Sequence, residues 1–308
     1  MKKFHIFNFD RYLCVMAFMV MFLAAANSAA QPVTANESKA ATLHEKYATL
    51  SQALTKNQFR RPLFLESTES SSKVSSSAYA VIDFPFETVS ATLKKPGLWC
   101  EILILHINTK YCHANADSGP ATLRVNIGRK TAQALPDTFS LDFSYSLLDS
   151  SPNYLAVQLS AENGPLSTTD YSLEIQAVPV AGNKTFMILR YSYGFGMAGR
   201  LAMQTYLATL GRGKIGFTQI SEDPKPGFVG GMRGATERNT MRYYLAIEAY
   251  LASLKQQTAT SQLNARFNQW FDATEQYAEQ LHEVDKAGYL SMKKEEYQRQ
   301  QTAPSRTN

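Results

Sequence analysis

The sequence predicts an α+β fold: a curved antiparallel sheet wrapped around a long C-terminal helix, with one extra helix after it. Three observations predict it. Short strand-like segments recur from Ala78 to Tyr193, with turn chemistry at Asn163-Gly164 and Gly182-Asn183. After Gly196 the apolar spacing changes from a period of two to that of a helix. A long amphipathic helix, Ala235 to Gln257, then follows the strands directly. A meander with one apolar face needs a cover, and this helix is the nearest one available.

The elements follow in order. Lys2, Lys3 and Arg11 precede an apolar run of fifteen residues, Tyr12 to Ala26, which falls short of the ~20 that span a bilayer. Small residues follow, and Ser28 and Ala30 suit a cleavage site. We expect a secretory signal peptide over 1–30, cut after Ala30, and a periplasmic protein; the alternative is a retained anchor. A lipoprotein fits poorly, because Arg11-Tyr12-Leu13 before Cys14 is a weak lipobox. Removing Lys2, Lys3, Arg11 and Asp10 with the leader leaves 28 basic and 25 acidic residues of the original 31 and 26, a net of +3. That balance and the absence of a basic stripe argue against nucleic acid.

Residues 31–74 form an N-terminal extension, with a short helix expected over Glu37–Leu54. The serine-rich stretch 66–77 reads as a flexible connection or an edge. Ala78–Phe84 reads as a strand, and Pro85 opens a helix carrying Phe86, Val89 and Leu93 at helical spacing. The β-branched run Ile102–Tyr111 and the segment Thr122–Gly128 read as strands. Thr138–Leu147 alternates, with Phe139, Leu141, Phe143, Tyr145 and Leu147 on one side. Leu155 to Leu159, Tyr171–Val178 and Thr185–Tyr193 complete the sheet. Met197–Leu210 reads as a helix, and a glycine-rich loop, Pro226–Gly234, leads into the long helix. Beyond it, over 258–308, Leu263, Phe267, Trp270, Thr274, Tyr277, Leu281 and Val284 step as three heptads. This seam suits a protein partner or self-association through 262–285, with a charged tail fraying from Gly288.

After cleavage only Cys100 and Cys112 remain. In an oxidising compartment they read as one disulfide, stabilising the fold by roughly 3 kcal/mol. The alternatives are two separate thiols, or a metal site with His106 and His113, although Cys-x11-Cys matches no common zinc pattern.

Residues 75–257 resemble the START-like superfamily, also called SRPBCC or birch-allergen-like helix-grip proteins. Three stretches carry the resemblance: Ala78–Val89 running into Leu98-Trp99, Asp170–Ala177 before Phe186–Tyr193, and the long terminal helix. The resemblance implies a cavity between sheet and helix that holds a lipid, sterol or other apolar ligand. The insertion Met197–Gly234 and the helix after Gln257 depart from the pattern and bear on access to such a cavity.

No hydrolase, metalloprotease, P-loop or paired CxxC motif is present in the sequence, so no catalytic residue, metal or cofactor is assigned. The glycine-rich loop offers a helix N-terminus that suits a phosphate or headgroup, but its spacing matches no phosphate-binding pattern, and a loop that lets the helix dock is the preferred reading. On a helical wheel Arg238 and Arg242 lie about 180° and 140° from the apolar stripe centred on Ile247, so they should meet acids on another element such as 262–285. Glu237 and Asn239 lie about 80° to either side and alone could reach the rim of a cavity. Tyr145, Tyr191, Tyr193, Tyr243 and Tyr244 combine apolar rings with polar tips, as a ligand pocket requires, or as ordinary core packing does. The expected ligand-binding set is Phe143, Tyr145, Tyr191, Tyr193, Glu237, Tyr243, Tyr244, Ile247 and Leu251. The leading expectation is a periplasmic binding protein for an apolar or amphipathic, lipid-like small molecule. A filled-core interaction protein and a cyclase- or hydrolase-type enzyme using Glu237 are the alternatives.

Overall fold

β8 (Lys184–Phe195) reads Phe186-Met187-Ile188-Leu189 without alternation, which is the mark of a strand covered on both faces. The computed structural model bears this out: all four residues are buried. It describes Met1 and residues 35–115, 119–209, 211–221 and 227–302. The expected signal peptide and its cleavage point lie outside the described residues.

Eight strands form one antiparallel sheet in the order β1-β2-β8-β7-β6-β5-β4-β3. They are β1 (Leu63–Glu69), β2 (Lys73–Ile82), β3 (Thr109–Asn115), β4 (Thr122–Ile127), β5 (Phe139–Ser151), β6 (Tyr154–Asn163), β7 (Thr168–Val180) and β8. The serine-rich stretch is therefore not a loose connection; it supplies most of the edge hairpin β1–β2. The concave face grips the long helix. Leu155, Val157, Leu159, Leu173, Ile175, Met187 and Leu189 join Met241, Leu245, Ile247 and Leu251 of that helix in one core. This is the helix-grip architecture.

The convex face is covered too. α1 (Ala35–Thr49) and α2 (Ser51–Thr55) lay Ala40, Leu43 and Leu54 on Tyr79, Tyr154, Ala156, Val178, Phe186 and Ile188. Lys39 reaches Asp149 on β5 at 2.7 Å.

Between β2 and β3 run α3 (Phe86–Leu93) and α4 (Pro96–Leu103). The run Ile102–Tyr111 is thus not one strand. Pro96 opens a helix, Trp99, Ile102 and Leu103 bury its apolar side, and the strand begins only at Thr109. Trp99 Nε1 donates to Leu93 O at 2.9 Å. Cys100 on α4 is bonded to Cys112 on β3, twelve residues on, with Cα atoms 5.2 Å apart.

After β8 come α5 (Met197–Ala208), the short pair β9 (Gln219–Ser221) and β10 (Gly227–Phe228), and the gripped helix α6 (Gly231–Ser253). The heptad seam does not form one helix. It divides into α7 (Ala259–Glu275), opened by a capping box at Thr258 and Ser261, and the single turn α8 (Ala278–Leu281). Its apolar residues are consumed within the chain: Phe267, Trp270, Thr274 and Leu281 are buried, and Trp270 Nε1 donates to Arg242 O at 3.1 Å.

The tail does not fray. Lys286–Thr302 forms α9, with Tyr289 stacked on Trp270 at 4.9 Å between ring centroids and its hydroxyl on Leu105 O. α9 lies along the edge strand β3. Lys293 Nζ donates to the Thr109 carbonyl at 2.8 Å, and Cys112 N–H donates to Gln300 Oε1 at 3.2 Å, so open ladder positions find partners. Beneath it Lys110 and Lys293 share Glu296, each at 2.8 Å, and all three side chains are sealed from solvent. Residues from Ala35 onward belong to one compact unit. Among the described residues no helix is long and apolar enough to cross a membrane.

Two predictions follow from the Lys–Glu–Lys clamp. Glu296→Gln leaves two buried ammonium groups without a counter-charge and should cost about 3–5 kcal/mol in urea unfolding; a loss below 1 kcal/mol would mean the clamp is not formed. Burial pulls the Lys293 ammonium down to about 8, with Lys110 adding to the shift and Glu296 opposing it. The folded-state value lies below the unfolded one, so the unfolded chain holds more protons between them and stability rises with pH there. From pH 8 to 9.5 wild type should gain on the order of 1.5 kcal/mol relative to Lys293→Met. Parallel pH profiles for the two proteins would refute the assignment.

Candidate functional site

β5 does two jobs along its length. Residues Phe139–Ser144 pair with β4, and Ser144–Ser151 pair with β6. β6 meanwhile continues past Ser160 to Asn163, paired only with β7. The β5–β6 ladder therefore stops at Ser144–Ser160 while both strands run on and diverge. Register shifts at Leu147/Asp149 in β5 and at Thr169/Ser172 in β7 supply extra bending near this split.

A cavity of about 580 Å³ occupies the split. Its rim is polar, with Ser140, Asp142 and Ser144 on β5, Ser160 and Glu162 on β6, and Asp170 and Ser172 on β7. The inward-facing residues Leu141, Ala161 and Tyr171 complete its wall. It is a break in the sheet itself, not a chamber roofed by the apolar stripe of α6.

Tyr171 begins a file of rings that leads from this cavity into the core. It stacks on Tyr193 at 5.3 Å between centroids, and Tyr193 lies 6.0 Å from Tyr191. Tyr191 meets Tyr243 of α6 at 5.4 Å, and Tyr243 meets His106 at 4.7 Å. Burial pushes Tyr171 and Tyr191 far above the usual phenol range and Tyr243 up to about 12. All are therefore neutral hydroxyls at physiological pH. The Tyr171 hydroxyl shares a hydrogen with Thr168 Oγ1 at 2.8 Å.

His106, in the turn between α4 and β3, is buried, and its Nδ1 accepts from Asn108 N–H at 3.2 Å. Burial, reinforced by Arg242, Lys293 and Lys130, holds its pKa well below the usual imidazole value. The ring is neutral, and an accepting Nδ1 places the proton on Nε2. That Nε2 is buried, and the Asn239 side chain is its hydrogen-bonding neighbour. Ser76 Oγ, on the residue that pairs with Tyr191 across the β2–β8 ladder, is buried with no hydrogen-bond partner among the described residues. Asn239 is half-buried beside Tyr191 and His106, and Arg242 Nη1 reaches its Oδ1 at 3.5 Å.

Arg242 leaves the apolar stripe, as the wheel requires, and pairs with Glu283 at 2.7 Å. Lys130 and Lys214 reach the same carboxylate at 2.6 and 3.3 Å. Burial alone would raise the Glu283 pKa, but the three cations outweigh it and hold the carboxyl below its ordinary value.

The residues singled out in the sequence divide into three groups. Tyr191, Tyr193 and Tyr243 join the ring file. Phe143 and Tyr145 face the same core from β5, with the Tyr145 hydroxyl on Leu93 O at 3.2 Å. The other four serve the fold. Tyr244 turns toward β1, where Arg61 donates to its hydroxyl at 3.4 Å, and Ile247 and Leu251 are fully packed. Glu237 does not reach a cavity rim. It is buried and accepts from Ser67 Oγ, from Phe217 N–H and Thr218 N–H at 2.5 and 2.9 Å, and from Thr218 Oγ1 at 2.6 Å. The glycines explain how. A Cβ on Gly216 would lie 2.4 Å from Glu237 Oε2 and 2.9 Å from Gly234 Cα, so only glycine lets the loop close over this carboxylate. The glycine-rich stretch is a docking device for α6. His106, Ser76 and Tyr171 were not foreseen. Tyr171 alone left a trace, in its two-residue alternation with Leu173 and Ile175.

Among the described residues no cluster of His, Cys, Asp and Glu is arranged to hold a metal ion. No family model matches the sequence, and no curated protein matches it. Solved structures that align include truncated norcoclaurine synthase from Thalictrum flavum, at 13% identity over 47% of this chain and 91% of that one, with a TM-score of 0.33. Human StAR-related lipid transfer protein 5 aligns at 11% identity over 52% and 84%, with a TM-score of 0.31. The di-domain ARO/CYC protein BexL aligns at 12% over 80% of this chain and 61% of its own length, also at 0.31. The helix-grip assignment stands on this chain's own strand order and on its gripped helix.

Because Glu237 anchors the 216–218 loop and β1 to α6, Glu237→Gln should lower stability by about 1–3 kcal/mol. A variant with unchanged urea midpoint and slope would remove the clamp role.

Proposed function

We propose that this is an exported binding protein for an amphipathic small molecule, which enters through the β5–β6 split and lies against the ring file from Tyr171 to Tyr243. The observation that carries the reading is the interrupted ladder. Two paired strands part company around a cavity of about 580 Å³, and the wall of the gap includes the first ring of a buried aromatic series. Apolar rings with a few convergent polar groups are the ordinary make-up of a small-molecule site. Export is supported by the leader-like first thirty residues and by the Cys100–Cys112 bond, which an oxidising compartment favours. Binding rather than chemistry is favoured because Glu237, the acid of α6 with the reach for catalysis, is fully engaged by backbone and hydroxyl donors.

The test uses N-phenyl-1-naphthylamine, a neutral fluorophore that brightens in apolar surroundings. Wild type should bind it saturably. Ser144→Trp, placed on the exposed rim of the split, should weaken binding about tenfold, with little change in melting temperature. Equal binding by wild type and this variant would dispose of the split as the way in.

A further inference from the structure

The β5–β6 split leaves a strand edge open inside the sheet. Tyr145 N–H donates to Ala121 O at 2.9 Å, so the odd-numbered residues of this stretch turn their backbone groups toward β4. Ser140 and Asp142 therefore turn theirs the other way, into the cavity, where the β5–β6 ladder no longer reaches them. A bare edge is a template for a further strand, and folds ordinarily pair or cover one.

Charge favours the break and selects what can fill it. Carried on by two residues, the Ser144–Ser160 register would set Asp142 directly opposite Glu162. Like charges opposite each other destabilise a ladder. The pairs Ala161–Tyr171 and Asn163–Thr169 bracket Glu162 and Asp170, so a third carboxylate extends the row onto β7. Arg124 answers Asp142 from β4 at 2.9 Å, but among the described residues no cation pairs with Glu162 or Asp170. A second copy of this chain would bring the same acids to the edge and be repelled. A strand with a cation opposite Asp142 would instead place it between two carboxylates. The side chains on the strand's other face would meet Leu141, Ala161 and Tyr171, the inner wall of the cavity.

We infer that the split is a docking slot for an extended basic segment of a partner protein, which adds to β5 as a strand with its cationic side chains on the Asp142–Glu162–Asp170 row and small apolar ones facing inward. Such a strand occupies the mouth of the small-molecule site without depending on that site, and once seated it closes the way to the ring file.

The test follows fluorescence anisotropy of a labelled, amidated hexapeptide of alternating lysine and valine added to the full chain, with N-phenyl-1-naphthylamine binding measured in parallel. Wild type should bind this peptide saturably, and the counterpart with glutamate for lysine at least tenfold more weakly. In antiparallel pairing the residue opposite Asp142 shares its backbone bonds with β5. Methylating the lysine backbone nitrogens keeps every charge, and it too should cost at least tenfold. Glu162→Lys, at an exposed position, should abolish the preference for lysine over glutamate. Ser140→Pro removes an N–H that β4 does not use and should weaken the lysine peptide about tenfold; should it fail to fold, the methylated peptide on wild type still decides. Equal binding of the methylated peptide, or displacement of the lysine peptide by acetyl-lysine amide at matched lysine concentration, would make the acidic row a site for small cations and overturn the strand. Fluorophore binding without peptide binding overturns the docking slot alone. Peptide binding without fluorophore binding overturns the small-molecule reading alone, and binding of neither overturns both.

Discussion

The middle of this sheet is apolar on both faces, and most of the structure answers that one fact. β8 buries Met187 and Leu189 on the concave side and Phe186 and Ile188 on the convex side. Each face needs a cover. α6 covers the first and α1 with α2 the second, so a strand near the middle of the sheet is held between helices from opposite ends of the chain. Burying a large aliphatic or aromatic side chain is worth about 1.5–3 kcal/mol, and the covers carry many such contacts. The helices around α6 add apolar contacts of their own through Phe267, Trp270, Leu281 and Tyr289, and buried charge fixes their register.

Two buried carboxylates act as hubs. Glu283 gathers Arg242, Lys130 and Lys214, and Glu296 gathers Lys110 and Lys293. Such groups add little net stability compared with apolar packing, but their geometry admits few alternatives. They register α9 on β3 and the segment after α8 on α6. The same excess of cations shapes the chemistry of the core beside His106.

Much of the architecture was legible because it follows periodicity. The alternation in β5, the three strands that follow it in the main sheet and the gripped helix were all visible in residue spacing, and the cysteine pair in its count. Three things were not. The run Ile102–Tyr111 is β-branched, yet its first part completes the helix that Pro96 opens and Trp99 anchors. α9 was missed because its buried positions include Lys293 and Glu296, which read as solvent-facing residues in any hydropathy pattern. The split between β5 and β6 is a matter of hydrogen-bond register, and register leaves no mark in composition. Within the candidate site the tyrosines of β8 and α6 were foreseen. His106 was not, because its place beside Tyr243 depends on where α4 and β3 pack and on nothing local to it.

The contact of α9 with β3 joins segments about 180 residues apart in the chain. Contacts at that separation form late, because loop-closure entropy must be met first. The Cys100–Cys112 bond spans only twelve residues and holds α4 against β3 over a short loop. The edge of the sheet is therefore tethered early and sealed last. Until α9 arrives, β3 presents a bare ladder and the pocket for Lys293 stands open, so the folding chain passes through a stage in which its exposed edge can recruit another strand. Oxidation of the cysteine pair would shorten that stage by holding the strand where α9 must find it.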